Sequence, residues 1–328
     1  MRRMYFALLL GLAAGACASG GFKQPIADFQ AGVSDTTAVV GVYYTELNSF
    51  ERDLYLNERL YNPDLEVLTS DATRKPTPLV GQTFEAKAIR ARLDALDLLG
   101  KYGKRLAALA GTDAPAKSAA EVTSLGDRLT SLTGTFKELS GAGDATAAKY
   151  IGPIGTIVGL ITQSILESQR DAAITKAVAS GKPAVNAILD QIEADLQTIV
   201  GPVRITGEKE RLSDLIAFYN CGRLVAGDKR SDPRPGCKEP PTLTFAARQA
   251  LLKEMASTQA RYEAAVVFAP AEAVSGLRDA HAALVKYAES GRKNPDRAEL
   301  AASLEVFRER AAAAAEQIAK LRKIRGGE

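Results

Sequence analysis

The sequence predicts an all-α protein built as an elongated antiparallel bundle of long, coiled-coil-like helices. Its 328 residues include no tryptophan and only 6% aromatic residues, while alanine is abundant. This composition favours helices over β-sandwiches. Apolar residues recur three, four or seven positions apart along most of the chain, which is the spacing of one helix face. No alternating strand pattern and no repeat of solenoid length is found. We therefore expect a single helical domain over residues 25–325.

The first predicted helix, residues 26–61, carries a seven-residue apolar repeat. The repeat consists of Ile26, Val33, Val40, Leu47, Leu54 and Tyr61, with Phe29, Tyr43 and Phe50 between them and Thr36 and Asn57 as polar exceptions. Such a heptad pattern is typical of coiled-coil packing, and Asn62-Pro63 ends the helix. The pair Tyr43-Tyr44 could mark a ligand surface, but aromatic residues at helical spacing more often belong to a core.

Two further helices are predicted after a loop. Residues 62–81 contain three prolines and several polar residues, which is typical of a surface loop. The second helix covers residues 83–110 and the third covers residues 122–139. Their apolar stripes are formed by Ile89, Leu93, Leu96, Leu99, Leu106 and Leu109, and by Val122, Leu125, Leu129, Leu132, Phe136 and Leu139.

The next segment, Tyr150 to Leu166, contains no charged residue. Its length is at the lower limit for a membrane span, and its glycine, threonine and other polar residues reduce its apolar density. We therefore expect a helix buried at the centre of the bundle. Gly155 and Gly159 form a G-x-x-x-G motif, and we expect them to make an apolar contact with a neighbouring helix.

The remaining chain predicts several more helices. A helix is expected to start at Pro183 and to be kinked at Pro202. Helices over residues 243–268 and 271–289 follow. The last helix starts at Asn294-Pro295, and its apolar stripe consists of Leu300, Leu304, Phe307, Ala311, Ala314, Ile318 and Leu321.

The N-terminus has the layout of a secretory signal peptide. It reads MRRMYFALLLGLAAGAC, in which two arginines precede a short apolar run and small residues. The last four residues, Ala14 to Cys17, resemble the lipobox of bacterial lipoproteins, although leucine is commoner at the position of Ala14. The resemblance implies that residues 1–16 are removed and that Cys17 is acylated, with residues 17–24 forming the lipidated cysteine and a short tether. An ordinary secretory signal is the alternative.

Acylation of Cys17 would make the lipid bilayer a partner of this chain. The following residue is Ala18 rather than aspartate, which in enteric-type lipoproteins resembles the outer-membrane signal. The resemblance therefore implies a location at the periplasmic face of the outer membrane. A fully extended tether of seven residues reaches at most about 25 Å, so the folded part is expected close to the membrane.

The other two cysteines, Cys221 and Cys237, form an even pair in an oxidising compartment, which predicts a disulfide. The pair encloses a loop, residues 221–237, that is rich in glycine, proline and aspartate. A redox or metal-binding role is the weaker interpretation, because the chain has no C-x-x-C motif. Closing a loop of about 15 residues contributes about 3 kcal/mol in the chain-entropy description.

Charge and motif content argue against several function classes. Without Arg2 and Arg3 the chain has 40 basic and 39 acidic residues, which argues against a nucleic-acid partner. The only histidine, His281, lies between alanines, and we expect it to be packed or on the surface rather than catalytic. Glu193 and Asp195 are two positions apart on a helix and should not face each other. No catalytic, cofactor-binding or metal-binding residue is predicted.

The sequence thus predicts a non-enzymatic, lipid-anchored envelope protein. It would act as a scaffold or interaction module that binds an envelope protein or a second copy of itself. The alternative is a membrane-active protein, similar in outline to the helical pore-forming toxins, that uses the apolar segment 150–166. A third possibility is an enzyme of unrecognised type, which would need a deep pocket with convergent polar groups.

Overall fold

The computed structural model describes residues 21–61, 83–111, 131–141, 147–166, 170–221, 223–224, 242–267 and 270–326. The helices in these ranges are α1 (Lys23–Tyr61), α2 (Ala86–Ala110), α3 (131–141), α4 (Ala148–Leu166), α5 (Arg170–Asp195), α6 (Gly201–Cys221), α7 (Phe245–Val267), α8 (Pro270–Glu289) and α9 (Asn294–Gly326). The predicted all-α class is confirmed.

Helix α1 packs against α2, α6, α8 and α9. Its 39 residues correspond to a length of about 58 Å. The apolar heptad faces inward, since Ile26, Val33, Val40 and Leu47 are all buried. Both tyrosines of the Tyr43-Tyr44 pair are buried as well, so they belong to the core, as predicted.

Helices α2 and α8 run antiparallel to α1. Gly41 of α1 lies beside Leu93 of α2, whereas Val33, earlier in α1, lies beside Gly103, later in α2. For α8 the same reversal is seen in two ring contacts. The Phe22 ring, which precedes α1, meets Tyr287 at a centroid distance of 5.5 Å, and the Phe29 ring meets His281 at 5.6 Å.

Helix α9 runs parallel to α1. Early in both helices, the Phe307 ring lies against Gly32, where a Cβ atom would overlap the ring. Later in both helices, Arg322 Nε donates to Glu46 Oε1 at 2.9 Å. The starts of α1 and α9 are therefore at the same end of the bundle, which we call the proximal end.

One continuous apolar core joins α1, α2, α3, α4, α5, α8 and α9. The inward residues of α2, α3 and α9 largely follow the predicted stripes, although Leu93 is only partly buried. A smaller core of Leu215, Leu243 and Leu251 lies where α6 meets α7. These two helices are antiparallel, because Arg211 bonds Glu254 and Arg261 bonds Glu208 across their interface.

Helices α5 and α6 form one unbroken rod from Arg170 to Cys221, so the predicted helix start at Pro183 is wrong. Pro183 lies on the exposed side of α5, where water can bond the carbonyl that lacks an amide partner. Between the helices, Leu196–Val200 form a π-helical turn, in which the Gly201 amide donates to Leu196 O. This turn ends two residues before Pro202, at which the sequence predicts a kink.

The only strands in the described ranges are β1 (Arg223–Leu224) and β2 (Thr242–Leu243), which pair in parallel. The sequence predicts no strand, and two residues are too few to show an alternating pattern. The pair lies at the base of the predicted 221–237 loop. Cys221 is the last residue of α6, while Cys237 lies outside the described residues, so the disulfide stays a prediction.

The position of α4 differs from the prediction. Tyr150, Ile154 and Ile157 are fully buried, and α4 packs on α5 and α2. The opposite side, with Gly155 and Gly159, is exposed. Helix α4 therefore lies at the edge of the described bundle rather than at its centre, and its exposed side carries the small residues. No described helix is long and apolar enough to cross a membrane.

Candidate functional site

A buried ion pair, Arg92 with Asp195, lies where α1, α2, α4 and α5 meet. Arg92 Nε donates to Asp195 Oδ2 at 2.7 Å, and the two side chains are 0% and 1% exposed. Arg92 also donates to the carbonyl of Ala88 at 3.2 Å, and its guanidinium lies 4.0 Å above the centre of the Phe84 ring. The arginine is thus held by its own helix, by a carboxylate and by an aromatic face.

Two tyrosine hydroxyls complete the surroundings of the carboxylate. Tyr44 OH donates to Asp195 Oδ2 at 3.0 Å and Tyr150 OH donates to the same oxygen at 3.3 Å. Tyr150 is itself stacked on Phe136, with ring centroids 4.7 Å apart. Burial raises the pKa of Tyr44 well above its usual value, and the neighbouring Tyr150 and Asp195 raise it further. The Tyr44 hydroxyl therefore stays protonated and serves as a hydrogen-bond donor to the carboxylate.

This polar cluster of Tyr44, Arg92, Tyr150 and Asp195 directly adjoins the π-helical turn. Asp195 is the last residue of α5, and the turn starts at Leu196. A buried charge pair repays its desolvation only with excellent geometry and further hydrogen bonds. Here three donors converge on one carboxylate oxygen, so the cluster is satisfied and fixes the relative positions of four helices.

A second buried polar contact joins α2, α5 and α8. Tyr102 OH lies 3.0 Å from His281 Nε2 and 3.4 Å from the carbonyl oxygen of Ala177. The imidazole is fully buried, and its Nδ1 has no hydrogen-bond partner among the described residues. Burial and, to a smaller extent, the charge of Lys182 together lower the pKa of His281 from 6.5 to about 3. The histidine is therefore neutral at pH 7 and packed in the interior, which is one of the two positions that the sequence predicts for it.

The neutral His281 makes the fold sensitive to acid. The unfolded chain takes up a proton at His281 below pH 6.5, whereas the folded chain does so only near pH 3. Stability is therefore lost as the pH falls between these values, by about 1.4 kcal/mol per pH unit from this group. We expect His281→Gln to reduce the pH dependence of the unfolding free energy by that amount, measured by denaturant unfolding at pH 6.0, 5.0 and 4.0.

Tyr102→Phe is the matched control, since it removes the hydroxyl and keeps the imidazole buried. This variant should be less stable at every pH, but its unfolding free energy should change with pH as steeply as that of the parent. Identical slopes for the parent and His281→Gln would contradict a depressed histidine pKa.

Two open grooves of the described surface do not lead to either buried contact. One groove of about 760 Å³ has a lining that includes Lys182, Asp279, Lys286 and Glu289, and neither His281 nor the polar cluster contributes to it. A second groove, of about 660 Å³, lies between α1 and α9 and is also rich in charged side chains. Grooves of mixed charge without a buried polar group suit surface contacts rather than a small apolar ligand.

No protein-family model, curated protein or solved structure matches this chain. Its function therefore has to follow from its own residues.

The residues singled out from the sequence are distributed over the molecule. Glu193 and Asp195 point to different helices, as predicted: Glu193 Oε2 accepts from Arg278 of α8 at 2.5 Å, whereas Asp195 binds Arg92 of α2. At Gly155 and Gly159, a methyl group in place of the α-hydrogen would meet no described residue of another helix within 4 Å. The predicted helix contact is therefore not made by the described part of the chain, while Cys17 lies outside it.

The polar cluster itself is not predicted by the sequence. Its two charged members are 103 positions apart and look like ordinary surface charges of helices. The sequence does contain one indication that Arg92 is buried. Arg92 lies three positions after Ile89 and four before Leu96, and both of these belong to the apolar stripe of α2. Residues at this spacing share one helix face, which places an arginine among core positions. Among the described residues no group of three or more potential metal ligands is found.

Proposed function

We propose that this chain is a lipid-anchored, non-enzymatic envelope protein that holds a rigid helical bundle at the periplasmic face of the outer membrane and binds a protein through its surface. The lipobox resemblance at Cys17 is the observation that carries the anchor. The proposed partner is an envelope protein or a second copy of the chain.

The distribution of polar groups supports a structural role for the interior. In the described part of the chain, the Arg92–Asp195 pair and His281 are enclosed and bond to buried neighbours rather than line a groove. Enclosed, mutually satisfied charges serve conformational specificity in several proteins. A rigid bundle is what a scaffold requires.

The outer face of α7 supports a binding role for the surface. Phe245, Leu252 and Val266 are spaced by multiples of seven residues and expose 79%, 49% and 52% of their surface. The inner face of the same helix contacts α6 and α9. Apolar residues at heptad spacing on an exposed helix face are suited to packing against another helix.

The anchor is tested by Cys17→Ser expressed from the full-length gene. We expect the variant to be lost from the outer-membrane fraction and recovered in the soluble envelope fraction, because the thiol that carries the lipid is absent. Metabolic labelling with a radioactive or clickable fatty acid should mark the parent and not the variant. Cys221→Ser is the control, and it should remain labelled and in the membrane. An unlabelled parent would contradict the proposal.

The membrane-active alternative is supported by the one-sided exposure of α4. Gly152, Gly155 and Gly159 are uncovered by the described residues, and the helix carries no charge from Tyr150 to Leu160. Dye release from liposomes on addition of the unlipidated protein would favour this function, and intact liposomes would favour the scaffold.

A further inference from the structure

The second half of the proposed tether, at Gly21 and Phe22, is clamped to the proximal end of the bundle. Tyr287 OH donates to the carbonyl of Gly21 at 2.9 Å. The Phe22 ring, 3% exposed, packs edge-on against Tyr287 and lies 5.6 Å from the guanidinium of Arg292. The first described residues are therefore fixed by a hydrogen bond, an aromatic contact and a cation–π contact. We call Gly21, Phe22, Tyr287 and Arg292 the N-terminal clamp.

The backbone of the turn between α8 and α9 positions Arg292 for this clamp. Gly291 and Arg292 both have positive φ, 72° and 69°, and this conformation is costly for a residue with a side chain. The Arg292 amide donates to Tyr287 O at 3.1 Å, and its guanidinium donates to Asp171 Oδ2 at 2.5 Å. These bonds hold Arg292 in place and join the turn to the start of α5.

The clamp limits how far the bundle can stand from a lipid on Cys17. Only four Cα–Cα steps separate Cys17 from Gly21, which is at most about 15 Å of fully extended chain. The longer reach of about 25 Å, given in the sequence analysis, applies to a tether that is unattached as far as Gln24. Because Gly21 is fixed, the attachment point of the lipid is restricted to the surroundings of the α8–α9 turn.

We infer that the proximal end of the bundle is a membrane-facing surface whose partner is the phospholipid headgroup layer. This inference rests on the proposed lipidation of Cys17. The surface comprises the start of α1, the start of α5 and the α8–α9 turn. Lys23 and Lys293 are exposed there, and so is Glu289. The short fixed tether, rather than a basic field, therefore sets the orientation.

The opposite end of the bundle then projects away from the membrane. Glu58 lies 35 residues after Lys23 on the same helix, which corresponds to about 52 Å. The exposed Phe245 belongs to the α6–α7 end, where Tyr61 of α1 contacts Phe218 of α6 at a centroid distance of 5.2 Å. The outer face of α7 would thus begin far from the lipid and be accessible to a protein in the periplasm.

The orientation is tested with the full-length lipidated protein in vesicles of phosphatidylethanolamine and phosphatidylglycerol that carry an acceptor dye on a fraction of the headgroups. A donor dye is attached through a clickable amino acid at position 293 or at position 58. We expect severalfold higher energy transfer from position 293 than from position 58. Each labelled protein is first shown to float with the vesicles and to melt like the parent.

The outcomes separate the orientation from the anchor. Failure of the protein to float with vesicles would overturn the proposed function. Flotation with equal transfer from both positions, or higher transfer from position 58, would overturn the orientation alone.

A clamp variant tests the cause of the orientation. Phe22→Ala with Tyr287→Phe removes the aromatic contact and the bond to Gly21, and we expect it to float but to lose most of the difference between the two positions. Arg308→Ala, on the exposed side of α9 outside the clamp, should keep the difference. If the clamp variant shows the same difference in energy transfer between positions 293 and 58 as the parent, the role of the clamp is overturned.

Discussion

Replacing Arg92 by methionine should lower the free energy of unfolding by about 3–5 kcal/mol. The substitution keeps much of the side-chain volume but leaves the carboxylate of Asp195 buried without its cation, and an uncompensated buried charge costs that much. Urea unfolding followed by circular dichroism measures the loss. The melting temperature should fall by roughly 6–10 °C, given about 2 °C per kcal/mol for a chain of this size.

A double-mutant cycle separates the charge pair from simple packing loss. Asp195→Asn alone should also be strongly destabilising, because it leaves Arg92 without its counter-charge. The double variant Arg92→Met with Asp195→Asn should recover about 2 kcal/mol or more relative to the sum of the two single losses, since no net charge stays buried and an amide oxygen still accepts from Tyr44 and Tyr150. Strictly additive losses would contradict a direct interaction between the two side chains.

The second large effect is expected from Ile157→Asp on α4. Ile157 is 0% exposed, so the variant both removes apolar packing and buries an unpaired charge. We expect a loss of about 4 kcal/mol or more in the free energy of unfolding. Denaturant unfolding of the purified protein provides the measurement.

The neighbouring residue supplies a matched control for Ile157. Thr156 is exposed on the same helix, and Thr156→Asp should change stability by no more than about 0.5 kcal/mol. If Ile157→Asp melts like the parent but loses a liposome binding that the parent shows, the membrane-active function replaces the scaffold.

Much of the helical framework can be predicted because helix stripes are local patterns. The heptad of α1 and the stripe of α9 place Ile26, Val40 and Phe307 in the core without knowledge of their partners, and all three are buried. Periodicity also gives the ends of α2 and α8 to within a few residues. These features depend on residues within a few turns of each other, which is the range over which a sequence pattern is informative.

Features that depend on distant parts of the chain could not be predicted in this way. Whether the glycine face of α4 is covered depends on which helices lie beside it. Similarly, the pairing of Arg92 with Asp195 depends on the packing of α2 against α5. The clamp at Phe22 requires a turn that lies about 270 residues later. Composition shows that such contacts are possible but does not select the partners.

The π-helical turn beside Asp195 has a consequence for the phase of the long α5–α6 rod. Buried positions around the turn are spaced by four residues and consist of Ile192, Leu196, Val200, Arg204 and Glu208. In a regular α-helix, four such steps would rotate the buried face by about 160°. One additional residue in the turn offsets about 100° of this rotation. A single-residue deletion between Leu196 and Val200 should therefore leave a regular α-helix in which α6 keeps its present face towards α1 and α7. An inserted residue would instead rotate α6 by about 100°.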